Sequence, residues 1–329
     1  MIKIIYNNGD IMIILSGRIN FDINFLSNIA KLFDVLKPVN YKYHNLLFRC
    51  DKSTHIEKLA LAYIYNVCSY IKKTMKIKIF MSENFYYKLT GIVNNMSGEK
   101  YKEQEFKQEI ATEDIKHYIL YGEDEINAVV NDLIKFIMDT NVILDKDNVQ
   151  SFLKTTIGEV FSNACIHNNI NEYYYFKDII FENDNFYLIV NVVDYGNTIA
   201  KNVESYFRKN KISRDCCIEW AIGAGNTTRE GSGGYGLPTL LDYVEKAEGD
   251  LIILSGNEIL HMKNGHKNFQ NKLLGFFPGT AVCFKIKLYD LDNCFIYDEK
   301  NKTLSTRRIS LNDIKYIKMR VIENGNRNL

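Results

Sequence analysis

Little in this chain points to a membrane, a metal cluster or a nucleic acid. No run of about 18 apolar residues occurs, so the sequence offers no membrane-spanning helix. Proline is scarce, three in 329 residues, and no Gly/Ser-rich stretch is present, so no long flexible linker is visible. The seven cysteines form no C-x-x-C pair, which removes zinc-ribbon and thioredoxin-like motifs. Their odd number and irregular spacing fit reduced thiols in a cytosol, and the expected location is cytoplasmic. The apolar start at Met1–Ile5 turns polar at Asn7-Asn8-Gly9-Asp10 and is too short for a signal peptide. An excess of one charge is also missing: 41 basic residues face 40 acidic ones, a net +1. Nothing in that balance argues for a nucleic-acid surface or an acidic-membrane binder, and neither partner is expected. Basic residues gather at Arg307-Arg308 and along 312–327, as they do in a solvated tail.

What is present is enough apolar material for a core. Hydrophobic residues make up 46% and charged ones 25%. At roughly 150 residues per domain, the length suggests about two domains. Residues 1–95 alternate between strand and helix signals. Ile2–Tyr6 and Ile11–Leu15 flank the turn Asn7–Asp10 as a hairpin. Ile23, Leu26, Ile29, Ala30, Phe33 and Leu36 recur at helical spacing and predict a helix over 22–36. A strand at Asn45–Cys50, a helix at Ile56–Lys73, a strand at Ile77–Met81 and a short helix from Ser82 complete the order ββαβαβα. Residues 96–122 are polar and read as a connector.

A second α/β domain follows over 123–290, with a polar extension over 291–329. Helices are expected at Asp124–Thr140, Asp145–Asn168, Asp215–Ile222 and Leu237–Ala247. Strands are expected at Tyr173–Phe181, Phe186–Val193, Asp250–Leu254, Glu258–Met262 and Ala281–Leu288. Helices with antiparallel strands suggest a two-layer α/β sandwich, one sheet face covered and the other partly open.

Four motifs in this second half carry chemistry. In Glu159-x-x-x-Asn163-Ala164-x-x-His167 the polar residues recur at i, i+4 and i+8 and form one stripe of a helix. An Asn oxygen is a neutral hard ligand suited to Mg²⁺. A carboxylate one turn earlier could act as general base on a water near a terminal phosphate. Taken alone, the stripe is equally a solvated helix face. Asp194-Tyr195-Gly196 ends an apolar strand. An ionised Asp only accepts hydrogen bonds and suits the exocyclic amine of adenine, while Gly196 permits close approach. A plain strand-to-loop turn uses the same residues.

The segment Gly223–Gly236 holds six glycines, with Thr227 and Thr228 inside it. It runs through Gly231-Ser232-Gly233-Gly234-Tyr235-Gly236-Leu237 into a helix whose free N–H groups could meet phosphate. Such a stretch could close over a ligand as a lid, or be a surface loop. Gly279-Thr280 precedes the last strand. A dinucleotide-binding fingerprint fails on context, because the segment before the glycines is helical and Glu258, near the required distance, opens a strand instead of closing one. The four elements in this order make ATP with Mg²⁺ the leading ligand.

These residues resemble the GHKL ATPase superfamily, which holds DNA gyrase, the MutL mismatch-repair proteins, heat-shock chaperones, sensor histidine kinases and anti-sigma-factor serine kinases. The resemblance covers about 125–288 and implies the Bergerat type of two-layer sandwich. Glu159 through His167 look like its asparagine box, Asp194-x-Gly196 its first glycine box, Gly234-Tyr235-Gly236-Leu237 with Thr227-Thr228 its second, and Gly279-Thr280 its closing element. The resemblance implies Asn163 on Mg²⁺, Glu159 as general base, Asp194 on the adenine amine and Gly196 beneath the base. It further implies phosphates held by the backbone of Gly231, Gly233, Gly234 and Gly236, and Thr280 supporting the adenine contact through water. Two departures stand out: Asn197-Thr198-Ile199 comes after the first box where another glycine is usual, and Ser232 occupies a glycine position of the second. The order ββαβαβα of the first domain resembles the STAS module of anti-sigma-factor antagonists.

Within the superfamily, His117 lacks the acidic neighbour of a phospho-acceptor, and about 40 residues after 288 are too few for a transducer domain. The expectation is an ATPase or serine/threonine protein kinase with an N-terminal regulatory module, acting in bacterial signalling. A non-hydrolytic nucleotide-gated switch is the alternative. A protein partner is expected, with a homodimer as one form of it.

Overall fold

The computed structural model describes residues 1–7, 9–36, 45–75, 77–90, 103–105, 115–119, 123–140, 146–166, 172–210, 216–228, 234–270, 273 and 275–288. It is a mixed α/β protein that divides into two compact units. The first comprises 1–117 with 174–176 and 271–278; the second comprises 118–173, 177–270 and 279–329. Among the described residues no helix is long and apolar enough to cross a membrane.

The first unit is built on a five-stranded sheet of order β1-β2-β4-β6-β7. Strands β1 (Ile2–Asn7) and β2 (Asp10–Leu15) pair antiparallel, closed near Gly9, whose φ of 94° suits only glycine. Alternation along β2 buries Ile11, Ile13 and Leu15 and turns the residues between them outward. A short parallel pair, β3 (Arg18–Ile19) with β5 (His55–Ile56), forms a separate two-stranded sheet. Helix α1 (Ile23–Leu36) starts at Asp22, whose carboxylate accepts from the Phe25 N–H at 2.8 Å. Its apolar stripe, Leu26, Ile29, Ala30, Phe33 and Leu36, is buried as the periodicity predicts.

Strands β4 (Asn45–Cys50) and β6 (Lys78–Ser82) run parallel to β2, as helix-crossover connections require, with α2 (Lys58–Met75) between them and α3 (Glu83–Leu89) after. The order ββαβαβα is formed, with β3 and β5 added. The supposed connector 96–122 differs from expectation: β7 (Glu103–Glu105) adds an antiparallel edge to β6, and β8 (Ile115–Ile119) is an edge of the second sheet. Edge strands this short carry too little apolar alternation to be read from sequence.

The second unit is built on a seven-stranded sheet of order β13-β12-β11-β14-β10-β9-β8. Helices α4 (Glu123–Met138) and α5 (Lys146–Ile166) pack on each other. Strands β9 (Glu172–Glu182) and β10 (Asn185–Asp194) are joined at Asn183 and Asp184, both at positive φ, the two-residue turn that matches strand twist. From Leu188 to Asp194 every residue of β10 is buried, so the expectation of a partly open second sheet face fails along this strand. An antiparallel strand buried on both faces loses its polar alternation, and the run from Leu188 to Val193, apolar except for Asn191, carried that signal.

Helix α6 (Ile199–Asn210), absent from the sequence expectation, begins at Thr198, whose hydroxyl accepts from the Lys201 N–H at 3.1 Å. Helix α7 (Cys217–Ala221) is followed by α8 (Gly236–Lys246), β11 (Asp250–Gly256), β12 (Glu258–Lys263), β13 (His266–Gln270) and β14 (Phe277–Lys287). Strand β13 was also unforeseen, although Asn264 and Gly265, at φ 47° and 76°, form the Asn-Gly turn that joins it to β12. Helix α5 packs on β10, while α6 and α8 pack on β11.

Two glycines of this unit predict opposite outcomes. A Cβ at Gly279 would overlap the carbonyl oxygen of Asp194, a backbone atom that cannot swing aside. Gly158, inside α5, has nothing within 4 Å of its would-be Cβ. Gly279→Ala should cost about 1–3 kcal/mol in urea denaturation, whereas Gly158→Ala should gain about 0.5–1 kcal/mol from helix propensity. Similar midpoints for the two variants would remove the strand approach as a constraint.

Candidate functional site

The site begins with two adjacent strand ends. Strands β10 and β14 are antiparallel, and their register sets Asp194 opposite Thr280. Paired residues point to the same face with Cβ atoms about 5 Å apart, so the Asp194 carboxyl and Thr280 hydroxyl share one surface. The approach is close because Gly279 lacks a side chain. Asp194 is buried, and its Oδ1 accepts from the Gly196 N–H at 3.0 Å, which fixes the turn leaving the strand. On β11, the fully buried Ser255 hydroxyl meets three groups: the Ile199 N–H at 2.8 Å, the Gly279 carbonyl at 3.0 Å and the Thr280 hydroxyl at 2.9 Å. That one oxygen joins the start of α6 to both residues of the Gly-Thr pair.

Helix α5 supplies Glu159 from the other side. Its Oε2 accepts from the Gly236 N–H, the first residue of α8, at 2.5 Å. The N-terminus of α8 needs such an acceptor, because its first N–H groups have no intrahelical partner and the side chain of Tyr235 makes no cap bond. Gly236 is required by the approach, since a Cβ there would overlap Glu159. Among the described residues Glu159 Oε1 has no hydrogen-bond partner, and Glu159 lines the cleft.

A neck and an apolar wall complete the cleft. The Gly225 N–H donates to the Gly234 carbonyl at 3.0 Å, with both glycines at positive φ. Asn226 is fixed by its amide donating to the Trp220 carbonyl at 2.8 Å, and Thr227 and Thr228 follow it into the cleft. Val203, Phe207, Cys217 and Trp220 form a buried cluster between α6 and α7, and Ile199, Val203, Trp220 and Ala221 present its cleft side. The hollow, counted with its space open to solvent, is about 680 Å³. Apolar walls with a few convergent polar groups are the composition of a small-molecule site.

The structure therefore gathers Glu159, Asp194, Thr227, Thr228, Gly234, Leu237 and Thr280 around one cleft within the second unit. Gly196 and Gly236 touch it through Asp194 and Glu159. Tyr235 is exposed, with its phenol against Gly225. Asn163 lies one turn after Glu159 on α5, with its side chain outside the described residues; His167, Gly231 and Gly233 lie outside them altogether. Sequence reading missed Asn197, Ile199, Asn202 and Val203 because it missed α6, although Thr198 with Ile199, Val203, Tyr206 and Phe207 after it is a cap and an amphipathic stripe. It also missed Ser255, for which an isolated Ser in an apolar strand gives no signal.

Both vicinal thiols beside the wall are held toward the protonated form. Burial first, and then the Glu258 carboxylate, push Cys217 up to about 12, and the same two causes raise Cys216. Glu258 itself is a helix cap, accepting from the Cys217 N–H at 3.2 Å and the Ile218 N–H at 2.8 Å. No group of three or more His, Cys, Asp or Glu able to hold a metal occurs among the described residues. Compared with models of protein families and with curated proteins, the chain matches none.

If Glu159 serves α8 as a cap from a distant helix, Glu159→Ala should lower stability by about 1 kcal/mol, with faster hydrogen exchange in the first turn of α8. Glu159→Gln, which keeps an acceptor, should lose less. Identical exchange in all three proteins would dismiss the bond.

Proposed function

We propose that the second unit binds ATP with Mg²⁺ as a domain of the GHKL type, a two-layer sandwich of the Bergerat kind, and turns the nucleotide over. The observation that carries this reading is the single cleft shared by Asp194, Thr280 and Glu159, three residues from motifs some 35 to 120 positions apart. Asp194 and Thr280 offer oxygen acceptors suited to an exocyclic amine, and the apolar face of Ile199, Val203 and Trp220 suits the plane of a purine. The backbone from Gly234 to Leu237 lies at the start of α8, where phosphate is favoured.

In this reading Glu159 acts as base. Oε2 is held by Gly236, and Oε1 is left to accept a proton from a water or from a partner hydroxyl. The oxygen so activated attacks the terminal phosphorus as the bond to the leaving ADP oxygen breaks. Asn163, one turn on, would hold Mg²⁺ through its side-chain oxygen, and the ion would neutralise charge on the phosphates. An Asn oxygen with one nearby carboxylate suits Mg²⁺, which takes few protein ligands and keeps its waters.

The first unit, with parallel β2, β4 and β6 linked through α1 and α2, fits a STAS-like regulatory module, and a protein partner in signalling fits the pair. The closed neck at Gly225 and Gly234 favours one further reading, a switch that binds nucleotide without turning it over.

Purified protein given MgATP should release ADP, and Glu159→Ala should bring release to background; binding without any release would leave the switch. Asn163→Ala should weaken MgATP binding by about tenfold or more, read by titration with and without Mg²⁺. Unchanged affinity would take Asn163 out of the site.

A further inference from the structure

We propose that Ser255 is a positioning residue that sets the hydrogen-bond polarity of Thr280 and thereby makes the cleft selective for a 6-amino purine. The inference rests on the nucleotide reading above and deepens it.

A serine hydroxyl has one hydrogen to donate and two lone pairs to accept with. Ser255 Oγ has three neighbours: the Ile199 N–H at 2.8 Å, the Gly279 carbonyl oxygen at 3.0 Å and Thr280 Oγ1 at 2.9 Å. The amide can only donate and the carbonyl can only accept. All three contacts are hydrogen bonds at once only when the single Ser255 hydrogen goes to Gly279 and one lone pair takes the Ile199 N–H. The remaining lone pair is left for Thr280, so the Thr280 hydroxyl must be the donor in that contact. Its only hydrogen is then spent inside the protein, and what Thr280 turns toward the cleft is lone pairs.

Because Ser255 is fully buried, no water competes for this arrangement. Beside Thr280, at the paired position of the next strand, Asp194 is also an acceptor when ionised. Two acceptors side by side match a group with two N–H bonds on one atom, the exocyclic amine of adenine. They oppose a 6-oxo group, which brings only lone pairs to the same place. Without Ser255, the Thr280 hydroxyl is free to rotate and donate, and half of the discrimination is lost. The same serine holds the first turn of α6 through Ile199, so it also keeps the apolar wall in register with these acceptors.

The test compares ATP with inosine triphosphate, which differs at the 6-position by an oxo group for an amine. Dissociation constants are measured with Mg²⁺ on the full chain. The wild type should prefer ATP. Ser255→Ala should cut that preference by about three- to tenfold, the worth of one hydrogen bond. Thr280→Val keeps the shape and the Ser255 bonds to Ile199 and Gly279, and should cut it by a similar factor. The double variant should show no further change in the ratio. A structural role alone would weaken both nucleotides equally and leave the ratio intact in Ser255→Ala, which would overturn the assignment. So would a fall in the ratio for Thr280→Val but not for Ser255→Ala. If Ser255→Ala does not fold, Ser255→Cys replaces it, with the same expected fall and the same overturning result. A wild type that binds both nucleotides equally, or neither, fails at the earlier step and removes the adenine reading itself.

Discussion

At Gly279 the backbone of β14 comes so close to the Asp194 carbonyl that no side chain fits between them. The rest of the second unit's cleft depends on that contact. It sets Thr280 beside Asp194, and it brings the Gly279 carbonyl and Thr280 hydroxyl onto Ser255. Ser255 in turn accepts from Ile199 and so fixes where α6 begins. The α6 helix then carries Ile199 and Val203 to the cleft and packs Val203 and Phe207 on Trp220. A methyl group at one position would disturb the acceptor pair, the buried hydroxyl and the apolar wall together.

The opposite side of the cleft depends on a second close approach. Helix α8 starts where its own residues cannot cap it, and Glu159 of α5 satisfies the Gly236 N–H instead. The bond removes an orphan donor from a helix terminus, and it holds one carboxylate oxygen still, while among the described residues the other has no hydrogen-bond partner. Most of the cleft's lining sits on regular elements, helices α5, α6, α7 and α8 with strands β10 and β14, which hold its side chains in place.

Much of this could be read before any coordinates. The β-hairpin at the N-terminus, helices α1, α2, α4, α5 and α8, and the apolar strand β10 are all written in period and turn residues. The misses have physical causes. Strand β7 has no apolar residue, and β8 has only Ile115 and Ile119 on one side, too little to report either edge. Strand β13, His266–Gln270, is mostly polar, so only the Asn264-Gly265 turn announced it. Helix α6 was legible from Thr198 and its stripe, but its residues closely follow the turn Asp194–Gly196, whose composition signals loop. The threonine at a place where the first glycine box usually has glycine is the cap of this helix.

The sequence alone determined which residue types were available and on which elements they sat: a carboxylate on a long helix, another at the end of an apolar strand, and glycines where the backbone must come close. Local chemistry suffices for that, because helical and strand periods are written in a few neighbouring residues. Only the tertiary structure decided that Glu159 would cap α8, that Ser255 would meet Thr280, and that Trp220 would wall the hollow. The first two outcomes depend on pairings between positions 77 and 25 residues apart, Glu159 with Gly236 and Ser255 with Thr280, and the third on helices α6 and α7 packing together. No local pattern encodes such a partner; it is chosen when strand register and helix packing bring the two groups within hydrogen-bond distance.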